Sequence, residues 1–240
     1  MSLQYSAGFV SFGVLLAVWS VQAARSHLWC LVLLYPSASL FLVGIAYGCA
    51  GPGMLGKRPN GQRSWTAILW TAPYITASEA LWWPVALLTR EPTLGLATTN
   101  LYFGRRLSVF DGTLIAEQGF QSCLDLTSEF SEVKALRDLK NYRCLPVLDG
   151  MPLSIEQLHD AIGWLGEAVQ RGPVYVHCAL GHGRTGMVVA AYLVAHRLEP
   201  DIDGALKRLR DRRSGVSLNR RQRHALTEFV AQIQLSQLAT

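Results

Sequence analysis

Val174-Tyr175-Val176-His177-Cys178-Ala179-Leu180-Gly181-His182-Gly183-Arg184-Thr185-Gly186 is the stretch from which the rest of this chain is read. Val174 to Val176 is an apolar run of strand character, and Met187 to Val194 is an apolar run that reads as the body of a helix. Between them, Gly181, Gly183 and Gly186 let the backbone fold tightly with its N–H groups turned inward. A helix beginning near Arg184 adds its positive N-terminal end. The backbone of Ala179, Leu180, Gly181, His182 and Gly183 then forms an anion cradle of about phosphate size. Arg184 supplies a planar fork that grips two phosphate oxygens, a geometry lysine lacks. Cys178 sits at the bottom of the cradle, where the field that holds a dianion favours thiolate over thiol. The result is a nucleophile aimed at phosphorus. A structural cysteine at a strand end beside an unrelated surface arginine is the plainer alternative, outweighed by this context.

With these residues in view, HCALGHGRTG (177–186) resembles the His-Cys-x5-Arg-Ser/Thr signature of cysteine-dependent protein tyrosine phosphatases, closest in pattern to the atypical dual-specificity branch. The resemblance implies a phosphocysteine intermediate on Cys178 and phosphoryl binding by Arg184. It also implies that the Thr185 hydroxyl assists release of the thiolate and that His177 orders the loop. No metal and no cofactor are implied. The resemblance extends over residues 100–235 and is specific around 145–152 and 174–194.

Asp149 is the second chemical residue. Expelling an alkoxide or phenolate from phosphorus is easier when a carboxylic acid supplies a proton. The Gly150-Met151-Pro152 surroundings permit a movable loop, and the resemblance places a general-acid Asp where Leu145 to Pro152 stands. The plain reading of Asp149 is a turn residue capping a bend; Asp125 and Glu129 are lesser candidates for the acid. The resemblance also implies a water-placing role for Gln222, which otherwise reads as a solvated helix residue. His182, inside the loop, is either a contact to a second phosphate of a lipid substrate or a solvent-facing histidine.

Half of the 240 residues are hydrophobic and 16% are charged, which is low for a soluble protein. Residues 1–89 hold one acid, Glu79, and four bases, Arg25, Lys57, Arg58 and Arg63. The remainder carries 18 of the 22 bases and 16 of the 17 acids, so no nucleic-acid partner is indicated. Lys207 to Arg223 holds eight bases and one acid, a solvated helix face or a patch for anionic lipid. The five cysteines (30, 49, 123, 144 and 178) show no paired spacing and no metal pattern. Cys30 and Cys49 read as packing residues; a protective disulfide from Cys123 or Cys144 to Cys178 is the lesser reading. A thiolate enzyme needs a reducing compartment, which places the catalytic part on the cytoplasmic side.

Met1 to Ala24 and Leu28 to Ala50 are uncharged runs, and about 20 apolar residues span a bilayer. Joined by Arg25-Ser26-His27, they predict a transmembrane hairpin, with Gly44 and Gly48 allowing close helix packing. The basic loop 51–64 places that side in the cytoplasm. Ser64 to Thr89 is apolar and Trp-rich but contains Pro73, Glu79 and Pro84, which reads as an interfacial or re-entrant segment, with a third crossing as the alternative.

From about Asn100 the composition is that of a soluble α/β domain. Strands are expected at Leu101–Phe103, Leu107–Phe110, Gly119–Leu126 and Asn141–Leu148, with a short helix from Ser131. Ser154 with Gln157 is a capping box opening a helix whose apolar positions are Ile155, Leu158, Ile162, Leu165 and Val169. Helices are also expected at Arg184–Arg197, Asp201–Arg213 and Asn219–Leu238.

The expected architecture is α/β, a dual-specificity-phosphatase-like central sheet flanked by helices and preceded by an α-helical transmembrane hairpin. Its segments are 1–64 (hairpin and basic loop), 65–99 (apolar segment) and 100–240 (catalytic domain). The expected function is phosphomonoester hydrolysis by a protein phosphatase at a membrane. A phospholipid-headgroup phosphatase is the alternative, and an inactive phosphate-binding scaffold is the alternative of another class.

Overall fold

The computed structural model describes residues 2–238. Met1 and residues 239–240, the outer ends of the first apolar run and of the catalytic segment, lie outside it. The chain divides into two compact units. One holds the residues up to Arg58, Gln62–Val85 and Ser128–Ser131; the other holds Pro59–Gly61, Ala86–Thr127 and Glu132 onward.

In the first unit, α1 (Leu3–Ala24) turns back through a 3-10 segment (Leu28–Leu33) into α2 (Leu34–Ile45) and a π-turn (Ala46–Ala50). Two stretches, Leu3–Ala24 and Leu28–Ala50, are long and apolar enough to cross a membrane. Small residues set the helix contact, as the sequence predicts. A Cβ at Gly44 would meet Val10 at 2.6 Å, and one at Gly48 would meet Ser6 Oγ at 2.7 Å. Serine hydroxyls bond across the pair: Ser37 Oγ donates to the Gly13 carbonyl and Ser20 Oγ to the Cys30 carbonyl, both at 2.7 Å. Cys30 is buried as expected, whereas Cys49 is exposed. Residues 65–88 form one continuous helix, α3 (Trp65–Leu88), through Pro73 and Pro84, without the break a re-entrant segment requires. An apolar cavity of about 640 Å³ opens among α1, α2 and α3, lined by Tyr5, Phe9, Phe12, Leu40, Tyr74 and Leu81.

The second unit is built on five strands: β1 (Leu94–Thr98), β2 (Leu101–Arg105), β3 (Ser122–Thr127), β4 (Asn141–Val147) and β5 (Val174–Cys178). Their order is β1-β2-β5-β3-β4. β1 and β2 pair antiparallel; all other pairs are parallel, with β5 central. Every residue of β3 and β5 is buried, as expected of inner strands in a sheet covered on both faces, and their polar members Ser122, Asp125, Thr127 and His177 are buried with the rest. The helices that follow are α4 (Gly112–Gln118), α5 (Lys134–Arg137), α6 (Ile155–Arg171), α7 (Gly183–Ala195), α8 (Ile202–Arg210) and α9 (Arg220–Leu238). Residues 184–193 of α7 are all buried, the reason that run is apolar on every side.

Three expectations need correction. β1 lies within the stretch read as membrane-associated, because its Leu-Gly-Leu-Ala-Thr sequence carries no strand alternation. Leu107–Phe110 is not a strand: Ser108 and Asp111 form a capping box that closes a 3-10 turn over Val109–Asp111. The helix after β3 starts at Lys134, not Ser131, and Glu132 is drawn into the interior instead.

The Ser154–Gln157 capping box is present as read: Ser154 Oγ accepts from Gln157 N at 3.1 Å, and Gln157 Oε1 accepts from Ser154 N at 2.9 Å. An N-cap of this kind contributes about 1 kcal/mol. Ser154→Ala is therefore expected to lower hydrogen-exchange protection in the first turn of α6 about five-fold, leaving β5 amides unchanged. Equal protection in both proteins would remove the cap from the account.

Candidate active site

The site lies at the carboxyl ends of the parallel strands, where open α/β sheets bind ligands. β5 ends at Cys178 and α7 begins at Gly183, so residues 179–182 make the turn between them. Gly181 has φ +74°, and a Cβ there would lie 2.2 Å from the Gly104 carbonyl. Both its conformation and its space require glycine. The loop's carbonyls are held from outside. Arg106 N–H donates to Ala179 O at 3.1 Å, and Arg213 Nη1 donates to Leu180 O at 2.9 Å and Gly181 O at 3.3 Å. Carbonyls turned outward leave the amides facing the cradle, and Gly181 N–H donates to Cys178 Sγ at 3.3 Å.

Arg184 is 1% exposed. Its Nη1 donates to Val147 O at 2.7 Å and Leu126 O at 3.3 Å, at the ends of β4 and β3. Its Nη2 donates to Asp149 Oδ1 at 2.9 Å. Asp149 itself is 70% exposed, on a turn eased by Gly150 at φ +70°. The structure thus brings Arg184 and Asp149 together, with Cys178 at the other end of the same turn. It sets aside the lesser acids: Asp125 is buried under Thr127 N, Thr127 Oγ1 and Tyr142, and Glu129 is buried and accepts from Ser128.

Beneath the loop lies a buried polar layer. His177 Nε2 is 2.6 Å from Glu132 Oε2 and 4.0 Å from Asp125 Oδ1, while its Nδ1 faces Cys178 O at 3.4 Å. The His177 ring stacks on Tyr175. Burial, reinforced by Asp125 and other neighbours, pushes the Tyr142 hydroxyl far above its ordinary range, so it stays a donor to Asp125 at 2.8 Å. Cys123, Glu132 and His177 place ligand atoms within 4.8 Å of one another, a group that could hold a metal ion and that sequence spacing does not reveal. His177 and Glu132 meet at 2.6 Å without one.

Gln222 is not a solvated helix residue: it is 2% exposed, and its Nε2 donates to Met151 O at 3.3 Å. A Cβ at Gly183 would lie 2.8 Å from Gln222 Oε1, so this side chain packs between the Asp149 loop and the start of α7. Asn219 Nδ2 donates to Gly150 O at 2.7 Å, tying the same loop. Thr185 is buried, and its Oγ1 has no hydrogen-bond partner among the described residues. His182 is not solvent-facing: its Nε2 is 2.7 Å from Glu91 Oε2. All five cysteines are free. The basic run 207–223 is not a uniform face either. Arg213 is 2% exposed and serves the loop, while Arg208 and Arg223 pair with Glu199 and Asp203. Sequence reading missed Glu91, Glu132 and Arg213. Of the three, Arg213 alone left a trace, as one base in a basic run.

A buried cysteine at the end of a central parallel strand, an amide-lined turn and an arginine opening the next helix define a cysteine-dependent phosphatase. Residues 101–232, more than half of the chain, match the family model "Dual specificity phosphatase, catalytic domain". The chain belongs to that family. Among solved structures, a mutant form of Tk-PTP aligns at 26% identity and TM-score 0.54, covering 60% of this chain and 98% of that one. PTPMT1 in complex with PI(5)P aligns at 17% identity and TM-score 0.53, covering 60% and 99%. Human DUSP28 aligns at 19% identity and TM-score 0.52, covering 60% and 96%. The last two likenesses are of fold.

Arg184 Nη2 is engaged by Asp149, so a phosphate that uses the same donor must compete with that carboxylate. Asp149→Ala is expected to tighten binding of inorganic phosphate about three-fold, the value of an ion pair whose carboxylate is largely in water. Titration calorimetry checks this; weaker binding would mean that Asp149 holds Arg184 in place rather than competing for it.

Proposed function

We propose that the chain is a membrane-anchored dual-specificity phosphatase that hydrolyses phosphotyrosine and phosphoserine/threonine esters of proteins through a phosphocysteine intermediate. The observation that supports this reading is the turn between β5 and α7, which carries Cys178 at its start, with the Gly181 N–H on its Sγ, and Arg184, paired with Asp149, at its end. The substrate's phosphate oxygens bind the loop amides of 179–183 and Arg184, displacing Asp149. Cys178 Sγ attacks phosphorus, the P–O bond to the substrate breaks, and the leaving oxygen takes a proton from Asp149. A water then attacks the phosphocysteine. Asp149 takes back a proton, inorganic phosphate leaves, and Cys178 regains its thiolate. Gln222, which reaches the loop backbone at Met151, places that water, and the otherwise unpartnered Thr185 hydroxyl receives the departing sulfur.

The stretches Leu3–Ala24 and Leu28–Ala50 serve as the anchor, with the catalytic unit on the cytoplasmic side, where its thiolate stays reduced. A second reading, hydrolysis of a phospholipid headgroup, is favoured by that anchor, which raises the effective concentration of headgroups. The fold likeness to PTPMT1, solved with PI(5)P, favours it too. The engagement of His182 by Glu91 weighs against a second-phosphate contact from that side chain.

Full-length protein in mixed vesicles, compared with Cys178→Ser, is expected to release phosphate faster from a phosphotyrosine peptide than from phosphatidylglycerol phosphate or phosphoinositides. Turnover of one lipid orders of magnitude faster would overturn the protein reading in favour of the lipid one. Asp149→Asn is expected to slow aryl phosphates with poor leaving groups about 100-fold, while those with good leaving groups are nearly unaffected. Equal slowing of both would exclude Asp149 as the acid.

A further inference from the structure

Glu91 follows α3 by three residues and lies far in sequence from the chemistry, yet its carboxylate is a meeting point of the site. Oε2 is 2.7 Å from His182 Nε2 and 3.2 Å from Arg213 Nη2. Oε1 accepts from Ser214 Oγ at 3.0 Å and from the Gly215 amide. Its side chain is 11% exposed, against 70% for Asp149, so this is an interior contact. Each of these two basic side chains belongs to or touches the phosphate loop. His182 is the loop residue that caps α7. Arg213 is 2% exposed and directs Nη1 to the carbonyls of Leu180 and Gly181 and Nε to Pro92 O at 2.8 Å.

We propose that Glu91 is a positioning residue for the phosphate loop: one carboxylate holds Arg213 against the loop's outward carbonyls and His182 at its helical end, and so keeps the loop amides aimed at the anion. This rests on the reading of Ala179–Gly183 as the phosphate cradle. A guanidinium buried without its counter-charge is costly and moves toward water. Without Glu91, Arg213 loses its ion-pair partner, and the two carbonyls it fixes are released. His182 Nε2, deprived of its acceptor, turns toward solvent or into the cradle mouth. Burial raises the Glu91 carboxyl, but hydrogen bonds from His182, Gly215 and Ser214 outweigh it and hold the carboxyl below its ordinary value of 4.5. Its contribution is therefore complete above that value and lost as pH falls through the lowered one.

The test uses the full chain and two alkylating agents of similar size, anionic iodoacetate and neutral iodoacetamide. The ratio of their rates at Cys178 reports the anion cradle and not the fold alone. Glu91→Gln is expected to lower that ratio about ten-fold, to weaken competitive inhibition by inorganic phosphate by a similar factor, and to raise KM for p-nitrophenyl phosphate more than it lowers kcat. Glu91→Asp keeps the charge on a shorter arm and is expected to fall between, which keeps the proposal testable if the glutamine variant folds poorly. Glu167→Gln, at an exposed pair with Arg171, serves as the unchanged control. Both Glu91 variants matching the wild type in ratio and in phosphate inhibition, even with lowered thermal stability, would reduce Glu91 to a structural contact. Wild-type protein that binds phosphate and discriminates the two agents but hydrolyses no ester would instead defeat the hydrolase reading, leaving the Glu91 comparison valid.

Discussion

The burial of one guanidinium, that of Arg184, sets the terms for the rest of the catalytic unit. A charge removed from water is tolerated when hydrogen bonds and a counter-charge replace its hydration. Here two strand-end carbonyls, from Leu126 and Val147, take Nη1, and Asp149 takes Nη2. The ends of β3 and β4 are thus tied to the first turn of α7 by the residue proposed to grip phosphate. Moving either strand end by an ångström moves the fork. This explains why the helix carrying Arg184 is packed on all sides: a mobile helix could not keep a planar donor aligned with a tetrahedral anion.

Below the guanidinium, the buried polar layer gives the loop a single floor. Tyr142 donates to Asp125, Asp125 accepts from Thr127, Glu132 pairs with His177, and Tyr175 donates to the Arg105 carbonyl at 2.5 Å. Such a network in a low-dielectric interior stabilises strongly when complete and destabilises when one member is lost. Its members come from β2, β3, β4, β5 and the segment before α5, so the layer forms when the sheet order is correct. Glu132 illustrates the competition. Its position suits the first turn of a helix, yet pairing with the buried imidazole is the stronger demand, and the helix begins two residues later at Lys134.

Where a decision is local, the sequence carried it. The glycine turn between an apolar strand and an apolar helix, the Ser154–Gln157 box and the periodic face of α6 are settled within a few residues, and each stands where it was read. The turn at 108–111 was equally local, because Ser108 and Asp111 have capping-box spacing, but the apolar Leu107, Val109 and Phe110 read as a strand. Leu94–Thr98 failed for another reason. A short strand at the sheet edge, with Gly95 against the Phe103 ring, takes its stability from β2 and not from its own pattern. Gln222 could be placed by resemblance to the family, but its burial against Met151 needed the fold. Glu91 and Arg213 lie about 120 residues apart in the chain and meet at a third segment, so no window of sequence contains their relation.

Arg184 and His182 at the cradle each already have a carboxylate, and the two pairs differ in what a substrate can do to them. Arg184–Asp149 is open on the acid's side: the carboxylate is 70% exposed and returns to water at little cost when a dianion arrives. His182–Glu91 is closed, with the carboxylate 11% exposed and further held by Ser214 and Gly215. On the proposed function, a dianion exchanges with Asp149 and leaves Glu91 in place. That asymmetry gives the exchange a chemical use. On the proposed mechanism, the carboxylate displaced from Arg184 takes up a proton from water and can then pass it to the leaving oxygen, which couples filling of the phosphate site to release of the acid. A carboxylate as firmly held as Glu91 at position 149 would oppose phosphate binding and could not be released to take up and pass on a proton. An unpaired Arg184 would leave the buried fork without a counter-charge between turnovers. The exposed turn carrying Asp149, loosely tied through Gly150 to Asn219, satisfies both demands.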